Sequence, residues 1–348
     1  MRGPGYWLWL AGSEGLHARA LDSWPEGEKE TLEALKRQGA SEKRLAALTE
    51  SLASRWAEAE YERLEKIGAQ FVSCEDEAYP EGLRDLEEPP LGLWVLGTVP
   101  TKRTVGVVGT RRCSPYGAAV ASKVGSALAQ SDLPLVSGGA QGIDSAAHSG
   151  CLEAGGVTLA VLGTGLDKLW PPEHGELFSR IVEGGGALVS EYALGTPGRP
   201  WRFPRRNRII AALSSVLVVV ESGHKGGAMI TAGLAMGLGR ELWAVPGRID
   251  EEVSRGSNQL IADGASPLVD VGAFIESLTG TAQLDLFQSP SLTAEEASVF
   301  EAVCHQSDQT ADSLALKTGL SPMAVLTAIS SLEIKGLVVT LASRVRRR

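Results

Sequence analysis

The ten residues Arg199–Arg208 concentrate the side chains that bind nucleic acids. They include five arginines, two aromatic residues and no acid, although the whole chain carries a net charge of −9. Guanidinium groups pair with phosphates, and aromatic rings stack on unpaired bases. This stretch therefore predicts a nucleic-acid contact, with a solvated basic loop as the plain alternative.

Four glycine-rich turns offer backbone N–H groups to the same kind of ligand. They are Gly109–Gly117, Ser137–Asp144, Gly163–Gly165 and Gly223–Gly227, and each follows a predicted strand. The first lacks the G-x-G-x-x-G spacing, which disfavours dinucleotide binding of the usual Rossmann kind. Because ligands of such folds sit at the carboxyl ends of the strands, the turns are expected to converge on a phosphate-rich ligand.

Single residues in these turns have distinct predicted roles. Arg111 is expected to make a bidentate phosphate contact, and Ser114 to cap the helix that Pro115 opens. Asp144 is predicted to cap the next helix rather than to act in catalysis. Trp170 is interpreted as a core residue, with a second stacking platform as the alternative.

Residues 104–278 alternate short apolar strands with helix-length segments. The six runs are Val105–Val108, Pro134–Ser137, Val157–Leu162, Ala187–Val189, Ser215–Val220 and Glu241–Val245. Near-continuous apolar strands of this kind are typical of a parallel sheet covered on both faces. The sequence therefore predicts an α/β fold with a Rossmann-like, doubly wound, mostly parallel sheet.

Two further regions flank this predicted core. Residues 1–70 read as a helical domain, followed by a connector at 71–103; residues 1–100 hold 19 acidic and 11 basic side chains. After a polar linker at 279–291, residues 292–348 predict three helices and a β-wing, a winged helix. Its third helix lacks basic residues from Ser321 to Glu333, which favours a protein-contact module over a DNA reader.

Composition narrows the function classes. No apolar run approaches the ~20 residues that span a bilayer. The four cysteines are scattered, without a CxxC pair or clustered histidines, which favours a reducing cytoplasm and disfavours a structural metal. No cofactor is expected.

The order of the motifs resembles the DNA-processing protein A (DprA/Smf) family over roughly residues 70–275. The matching segments are Val-Gly-Thr-Arg-Arg-x-Ser-x-Tyr-Gly, Ser-Gly-Gly-Ala-x-Gly-Ile-Asp, Gly-Thr-Gly-Leu-Asp, Ser-Glu-Tyr, Phe-Pro-Arg-Arg-Asn-Arg-Ile-Ile and Val-Pro-Gly. The N-terminal helices occupy the place of a SAM-like domain in relatives, and a C-terminal winged helix fits many of them.

The resemblance implies a cytoplasmic, non-enzymatic protein that binds single-stranded DNA, protects incoming DNA during natural transformation and helps to load the RecA recombinase. It also implies a homodimer, with Ile261 and Leu268 in the region used for dimerisation; simple core packing of these two residues is the alternative. The implied DNA-binding residues are Arg111, Ser114, Gly138, Gly139, Gln141, Gly142, Arg199, Arg202, Phe203, Arg205, Arg206, Asn207, Arg208, Lys225, Gly226 and Gly227.

The chain departs from the family pattern at two places. Pro200 stands where several relatives have a lysine, so Arg199 or Arg202 is expected to supply that charge. Trp170-Pro171-Pro172 replaces the frequent Tyr-Pro-Lys, which removes another positive charge.

Two alternative functions stay open on the sequence. One is a nucleotide-binding enzyme of the phosphoribohydrolase kind on a related fold, although its Pro-Gly-Gly-x-Gly-Thr-x-x-Glu signature is missing. The other is a regulator that binds duplex DNA through the winged helix. Base release from nucleoside monophosphates would identify the enzyme, and preference for particular duplex sequences would identify the regulator.

Overall fold

A computed structural model describes residues 3–280, 293–305, 309–334, 338–341 and 344–347. The chain divides into two compact units, residues 1–275 and 276–348. Most of the predicted linker at 279–291 lies outside the described residues.

A nine-stranded, mostly parallel sheet forms the centre of the first unit. Its strands are β1 (Ala69–Ser73), β2 (Gly92–Gly97), β3 (Thr104–Val108), β4 (Leu135–Ser137), β5 (Thr158–Leu162), β6 (Ala187–Ser190), β7 (Ser214–Val219), β8 (Glu241–Ala244) and β9 (Ser266–Pro267). Their order is β1-β2-β6-β5-β4-β3-β7-β8-β9. Only the β1–β2 and β2–β6 pairings are antiparallel. The predicted Rossmann-like fold is therefore confirmed.

Helices cover the parallel strands, as their apolar composition requires. All five residues of β3 and of β5 are buried. The helices of this region are α5 (Pro115–Gln130), α6 (Ile143–Glu153), α7 (Gly175–Glu183), α8 (Arg202–Leu213), α9 (Gly227–Gly237), α10 (Arg255–Ala262) and α11 (Val271–Thr279).

The side on which successive strands are added to the sheet changes at β3, although β3 and β7 run parallel. From β3 the chain builds β4, β5 and β6 on one side, and it then returns to place β7 on the other side of β3. Such a reversal leaves a crevice outside the carboxyl ends of the two strands, where ligands of this fold class bind. The first and fourth glycine turns flank this crevice.

The arginine-rich stretch was expected to be a loop, but most of it is the start of α8. The helix begins at Arg202 and places Pro204 in its first turn. A first-turn residue has no N–H partner inside the helix, so proline is tolerated there. Its arginines consequently point to different sides of a helix rather than to one ligand.

The N-terminal helices share a hydrophobic core with the sheet. They are α1 (Pro4–Ala11), α2 (Glu28–Arg37), α3 (Glu42–Ala53) and α4 (Trp56–Lys66). Trp9, Leu48 and Leu64 belong to the same buried cluster as Trp94 on β2. The packing shows no break at residue 70, and the SAM-like domain boundary there stays a prediction.

The second unit has the elements of a winged helix, as predicted. They are α12 (Ala294–His305), α13 (Ala311–Thr318), α14 (Pro322–Ile334) and an antiparallel hairpin of β10 (Val338–Leu341) and β11 (Arg344–Arg347). Val299, Leu314 and Leu332 are fully or almost fully buried in its separate core.

Candidate nucleic-acid interface

Two neighbouring clefts lie along the carboxyl edge of the parallel strands, and together they form the groove. The aromatic cleft, of about 190 Å³, is lined by Arg111, Gly138, Ala140, Gln141, Gly163, Trp170, Pro171, Glu173, Phe203 and Arg206. The amide cleft, of about 420 Å³, is lined by Val108, Gly109, Thr110, Arg111, Arg112, Ala140, Asp144, Arg206, Asn207, Ile210, Gly226, Gly227, Ala228 and Thr231. All four glycine turns thus reach one edge of the sheet.

Arg111 and Phe203 form a stacked pair where the two clefts meet. The guanidinium carbon of Arg111 lies 5.4 Å from the centroid of the Phe203 ring. Arg111 is exposed, and no carboxylate of the described chain lies within ion-pair distance of it. The pair therefore presents a positive charge that is free for a phosphate, beside a ring that is suited to stacking on a base.

Trp170 contributes a second ring to the aromatic cleft. It is 50% exposed, so the prediction of a core position is wrong. The residue follows β5 at the carboxyl edge of the sheet, where the chain leaves the packed interior before α7. The alternative, a second stacking surface, agrees with this position.

The turn at residues 138–142 forms the floor of the groove, and it is held by the buried side chains of Arg206 and Asp144. Arg206 Nη1 donates to the carbonyl oxygen of Gly138 at 2.8 Å and also to that of Val161. Asp144 accepts hydrogen bonds from the N–H groups of Gly138 and Ala140, at 3.1 and 3.4 Å. Asp144 therefore holds the turn before α6 rather than capping that helix, which corrects the predicted role.

Glycine is required in this turn for two separate reasons. At Gly138 a Cβ atom would lie 2.6 Å from Nη2 of Arg206, too close for a packed guanidinium. Gly142 has φ +83°, and a Cβ there would lie 2.4 Å from the carbonyl oxygen of Thr110. Within the described residues, the N–H groups of Gln141 and Gly142 have no hydrogen-bond partner, and they stay available to an anion.

Burial dominates the electrostatics of the floor. Desolvation raises the pKa of the Asp144 carboxyl, and the charge of Arg206 opposes that shift. Desolvation also lowers the pKa of Arg206, to about 10, which still leaves its guanidinium charged at neutral pH. Arg206 is 4% exposed and donates hydrogen bonds to carbonyl oxygens of the floor, which is a structural role; its contact with DNA stays a prediction.

The start of α5 already holds an internal anion. The Ser114 N–H donates to Oε2 of the buried Glu221 at 2.9 Å, and its hydroxyl donates to Oε1. The hydroxyl also accepts from the Gly117 N–H at 3.0 Å, which confirms the predicted cap. A carboxylate at a helix N-terminus is electrostatically favourable. The contact of Ser114 with DNA stays a prediction.

The start of α9 lies open in the amide cleft. Gly226 and Gly227 line it, and the preceding Lys225 is exposed. In the part of the chain that the structure describes, the N–H groups of Gly227 and Ala228 have no partner. Exposed amides at a helix N-terminus favour phosphate.

Three of the predicted DNA-binding arginines lie on the opposite side of α8. Arg202 forms a bidentate pair with Glu14 at 2.9 and 3.0 Å. Arg205 and Arg208 pair with Glu191, and Arg205 also lies 3.4 Å from Glu88. These cations pair with carboxylates of the N-terminal region and of Glu191, and their contact with DNA stays a prediction.

The remaining residues of the stretch have separate roles. Arg199 is exposed and has no ion pair within the described chain. Asn207 Oδ1 accepts from Arg206 Nε at 3.3 Å, and its amide donates to the Gly227 carbonyl at 3.4 Å. Asn207 thus links the floor to the start of α9, and its contact with DNA stays a prediction.

Two residues that line the groove were not predicted from the sequence. Arg112 is exposed in the amide cleft, and its place beside Arg111 in the first turn was a usable signal. Glu173 is exposed in the aromatic cleft, where its carboxylate accepts a hydrogen bond from the Gln141 amide. No sequence signal points to an acid in a groove expected to be positive.

The two residues expected at a dimer interface differ in exposure. Leu268 is 4% exposed and belongs to the core, so it offers no surface to a partner. Ile261 packs partly buried against that core, and its contact with a second copy stays a prediction.

The described residues contain neither a cluster suited to a metal ion nor a helix suited to a membrane. No group of three or more His, Cys, Asp or Glu side chains there is placed to hold a metal ion. No helix of that part of the chain combines the length and apolarity needed to cross a membrane.

Comparison with known proteins gives consistent matches. The model of the DNA recombination-mediator protein A family matches residues 70–279, and a DprA winged-helix model matches residues 287–343. A putative DNA processing protein DprA from Mycobacterium tuberculosis is 35% identical over 297 residues, which cover 79% of this chain and 76% of the relative. DprA from Streptococcus pneumoniae is 41% identical over 193 residues, 55% of this chain and 67% of the relative.

Two solved structures are also similar to this chain. The X-ray structure of DprA from Streptococcus pneumoniae has a TM-score of 0.65 and 32% identity, and the match covers 78% of this chain and 97% of that one. The structure that addresses single-stranded DNA binding by Helicobacter pylori DNA processing protein A has a TM-score of 0.55 and 29% identity. That match covers 61% of this chain and 97% of the other.

Proposed function

Because the chain belongs to the DNA recombination-mediator protein A family, we propose that it binds single-stranded DNA in the groove and catalyses no reaction. The observation that carries this proposal is that the Arg111–Phe203 pair and the free amides at the start of α9 line the same groove. Phosphate-binding and base-stacking groups along one cleft are what sequence-tolerant binding of an unpaired strand requires.

Exposed cations lie at the amide cleft and also before the start of α8. Arg111, Arg112 and Lys225 surround the amide cleft, and Arg199 extends the positive surface before α8. Together with the amides of Gln141, Gly142 and Gly227, they provide the phosphate contacts. Phe203 provides the base contact.

The biological role that we propose follows from the family. The protein protects incoming single strands during natural transformation and helps to load the RecA recombinase on them, as a homodimer in the cytoplasm. A single strand held by its phosphates keeps part of its bases accessible, which a later recombinase requires. Nuclease protection and RecA filament assembly on the bound strand test these steps separately.

A competition assay tests the central proposal. The full chain is bound to a labelled single strand and challenged with unlabelled single strand or with duplex of equal length. We expect the single strand to displace the label at a much lower concentration than the duplex. Equal competition, or preference for particular duplex sequences, would overturn the proposal.

The winged helix offers little support for the regulator alternative. Its α14 has no basic residue and exposes Met323 and Leu326, at 73% and 51%. Helices that read the major groove depend on polar and cationic side chains that reach base edges. An apolar exposed face is more typical of a protein contact.

A further inference from the structure

The two clefts of the groove differ in charge. The amide cleft is lined by two exposed arginines, and the one acid among its lining residues is the buried Asp144, which accepts from backbone N–H groups. The aromatic cleft contains the exposed carboxylate of Glu173 beside Gln141. A carboxylate repels a phosphate, so a strand that follows the groove is expected to keep its phosphates on the amide side.

The aromatic cleft has instead the features of a base pocket. Phe203 and Trp170 provide aromatic surfaces, and the Arg111 guanidinium lies over the Phe203 ring. Rings and guanidinium planes are the groups on which unpaired bases stack. The volume of the cleft, about 190 Å³, is sufficient for a single base.

Gln141 and Glu173, the hydrogen-bonded polar pair of the aromatic cleft, offer mainly hydrogen-bond acceptors to a ligand. The Gln141 Nε2 amide donates to Oε1 of Glu173, which fixes the carboxylate and occupies one of its lone pairs. The second carboxylate oxygen and the Gln141 carbonyl oxygen remain as acceptors. An ionised carboxylate can only accept hydrogen bonds, so it favours a base edge that presents donors.

We propose that the aromatic cleft holds one unstacked base and that Glu173 makes it prefer guanine. Guanine presents two adjacent donors, N1–H and the 2-amino group, to the two oxygens of a carboxylate. Thymine presents a single N–H between two carbonyl oxygens, which the carboxylate repels. Cytosine and adenine present an amino donor beside an acceptor nitrogen and are intermediate. This specificity rests on the proposed binding of single strands.

The test uses the full chain and the shortest oligothymidylate that it still binds. One thymidine at a time is replaced by deoxyguanosine, or by deoxyinosine, which lacks the 2-amino group. Dissociation constants are measured by fluorescence anisotropy. At one position we expect deoxyguanosine to bind about tenfold tighter than thymidine, the usual discrimination of a bidentate base contact, with deoxyinosine between them.

Two variants assign the preference. Glu173→Gln, which replaces one acceptor with a donor, is expected to reduce the guanine preference to less than about twofold. Glu176→Gln removes an exposed acid of α7 that does not line the cleft, and it is expected to retain the preference. Thermal unfolding checks that both variants are folded.

The outcomes separate this proposal from the function on which it rests. Equal affinity of the wild-type protein for all the oligonucleotides would overturn the guanine preference and leave single-strand binding intact. A preference that survives Glu173→Gln would overturn the role of Glu173. If no oligonucleotide binds at all, the proposed function itself fails.

Discussion

The floor of the groove and its rim, which is formed by Arg111 and Phe203, use arginine for opposite purposes. In the floor, Arg206 is 4% exposed and donates to backbone carbonyls, near the charge of Asp144. On the rim, Arg111 is exposed and carries its charge without an acidic partner in the described chain. The floor determines the shape of the site, and the rim is left to bind.

This difference shows that arginine density is a poor measure of phosphate binding. Four of the five arginines between residues 199 and 208 are bound to carboxylates or carbonyls of the protein itself. A guanidinium that already has a carboxylate partner gains little from a phosphate. Floor substitutions should therefore change stability, and rim substitutions should change binding.

The largest effect is expected for Arg206→Ala. The substitution removes hydrogen bonds to two buried carbonyl oxygens and the positive charge that opposes the desolvation of Asp144. A buried acceptor left without a donor costs about 1–3 kcal/mol of the free energy of unfolding, so two of them give the largest loss. Urea unfolding measures it, with Arg111→Ala as the control that stays within about 0.5 kcal/mol of wild type. Equal stabilities would contradict the division into floor and rim.

The free energy of unfolding is expected to depend on pH through His148, which is fully buried in α6. Burial is the main cause that lowers its pKa to about 3. Below pH 6.5 the unfolded chain protonates this histidine while the folded chain does not, so stability falls as pH decreases from 6.5 towards 3. The slope attributable to one proton is about 1.4 kcal/mol per pH unit.

Urea unfolding at a series of pH values measures the contribution of His148. His148→Gln should remove one proton from the pH dependence of unfolding. His224→Gln, which changes an exposed histidine, is the control. An unchanged pH profile in His148→Gln would show that another group is responsible.

On the rim, Phe203→Ala should weaken single-strand binding by about 1–3 kcal/mol, the usual contribution of one stacked base. The slope of log K against log salt should stay the same, because stacking releases no counterions. Titrations at several salt concentrations measure both quantities. A changed slope with unchanged affinity at low salt would rule out stacking.

The smallest effect on the rim is expected for Arg111→Ala. Loss of one phosphate contact should weaken binding uniformly across sequences and reduce the salt slope by roughly 0.7. Arg205→Ala is the matched control, since Arg205 pairs with Glu191 and Glu88 on the far side of α8. A larger slope change for Arg205 than for Arg111 would reverse the assignment of the two sides of the helix.

The turns after the parallel strands were the most predictable part of the site. Strand, glycine turn and helix follow one another in the sequence, and parallel strands necessarily bring such turns to one edge. The direction of the α8 side chains was not predictable, since the arginine-rich stretch was not predicted to be helical. Nor did the sequence indicate that Glu221, which is 107 residues from Ser114, occupies the start of α5.

Local patterns by themselves determined the doubly wound sheet, the winged helix and the sheet edge at which the glycine turns meet, because apolar periodicity and turn residues act over short stretches of chain. Only the tertiary structure decided which arginines remain free. A cation is neutralised by whichever carboxylate lies nearest in space, and Glu14 reaches Arg202 across 188 positions of the sequence. Charge pairing of that kind depends on the completed fold, and no spacing of residues along the chain encodes it.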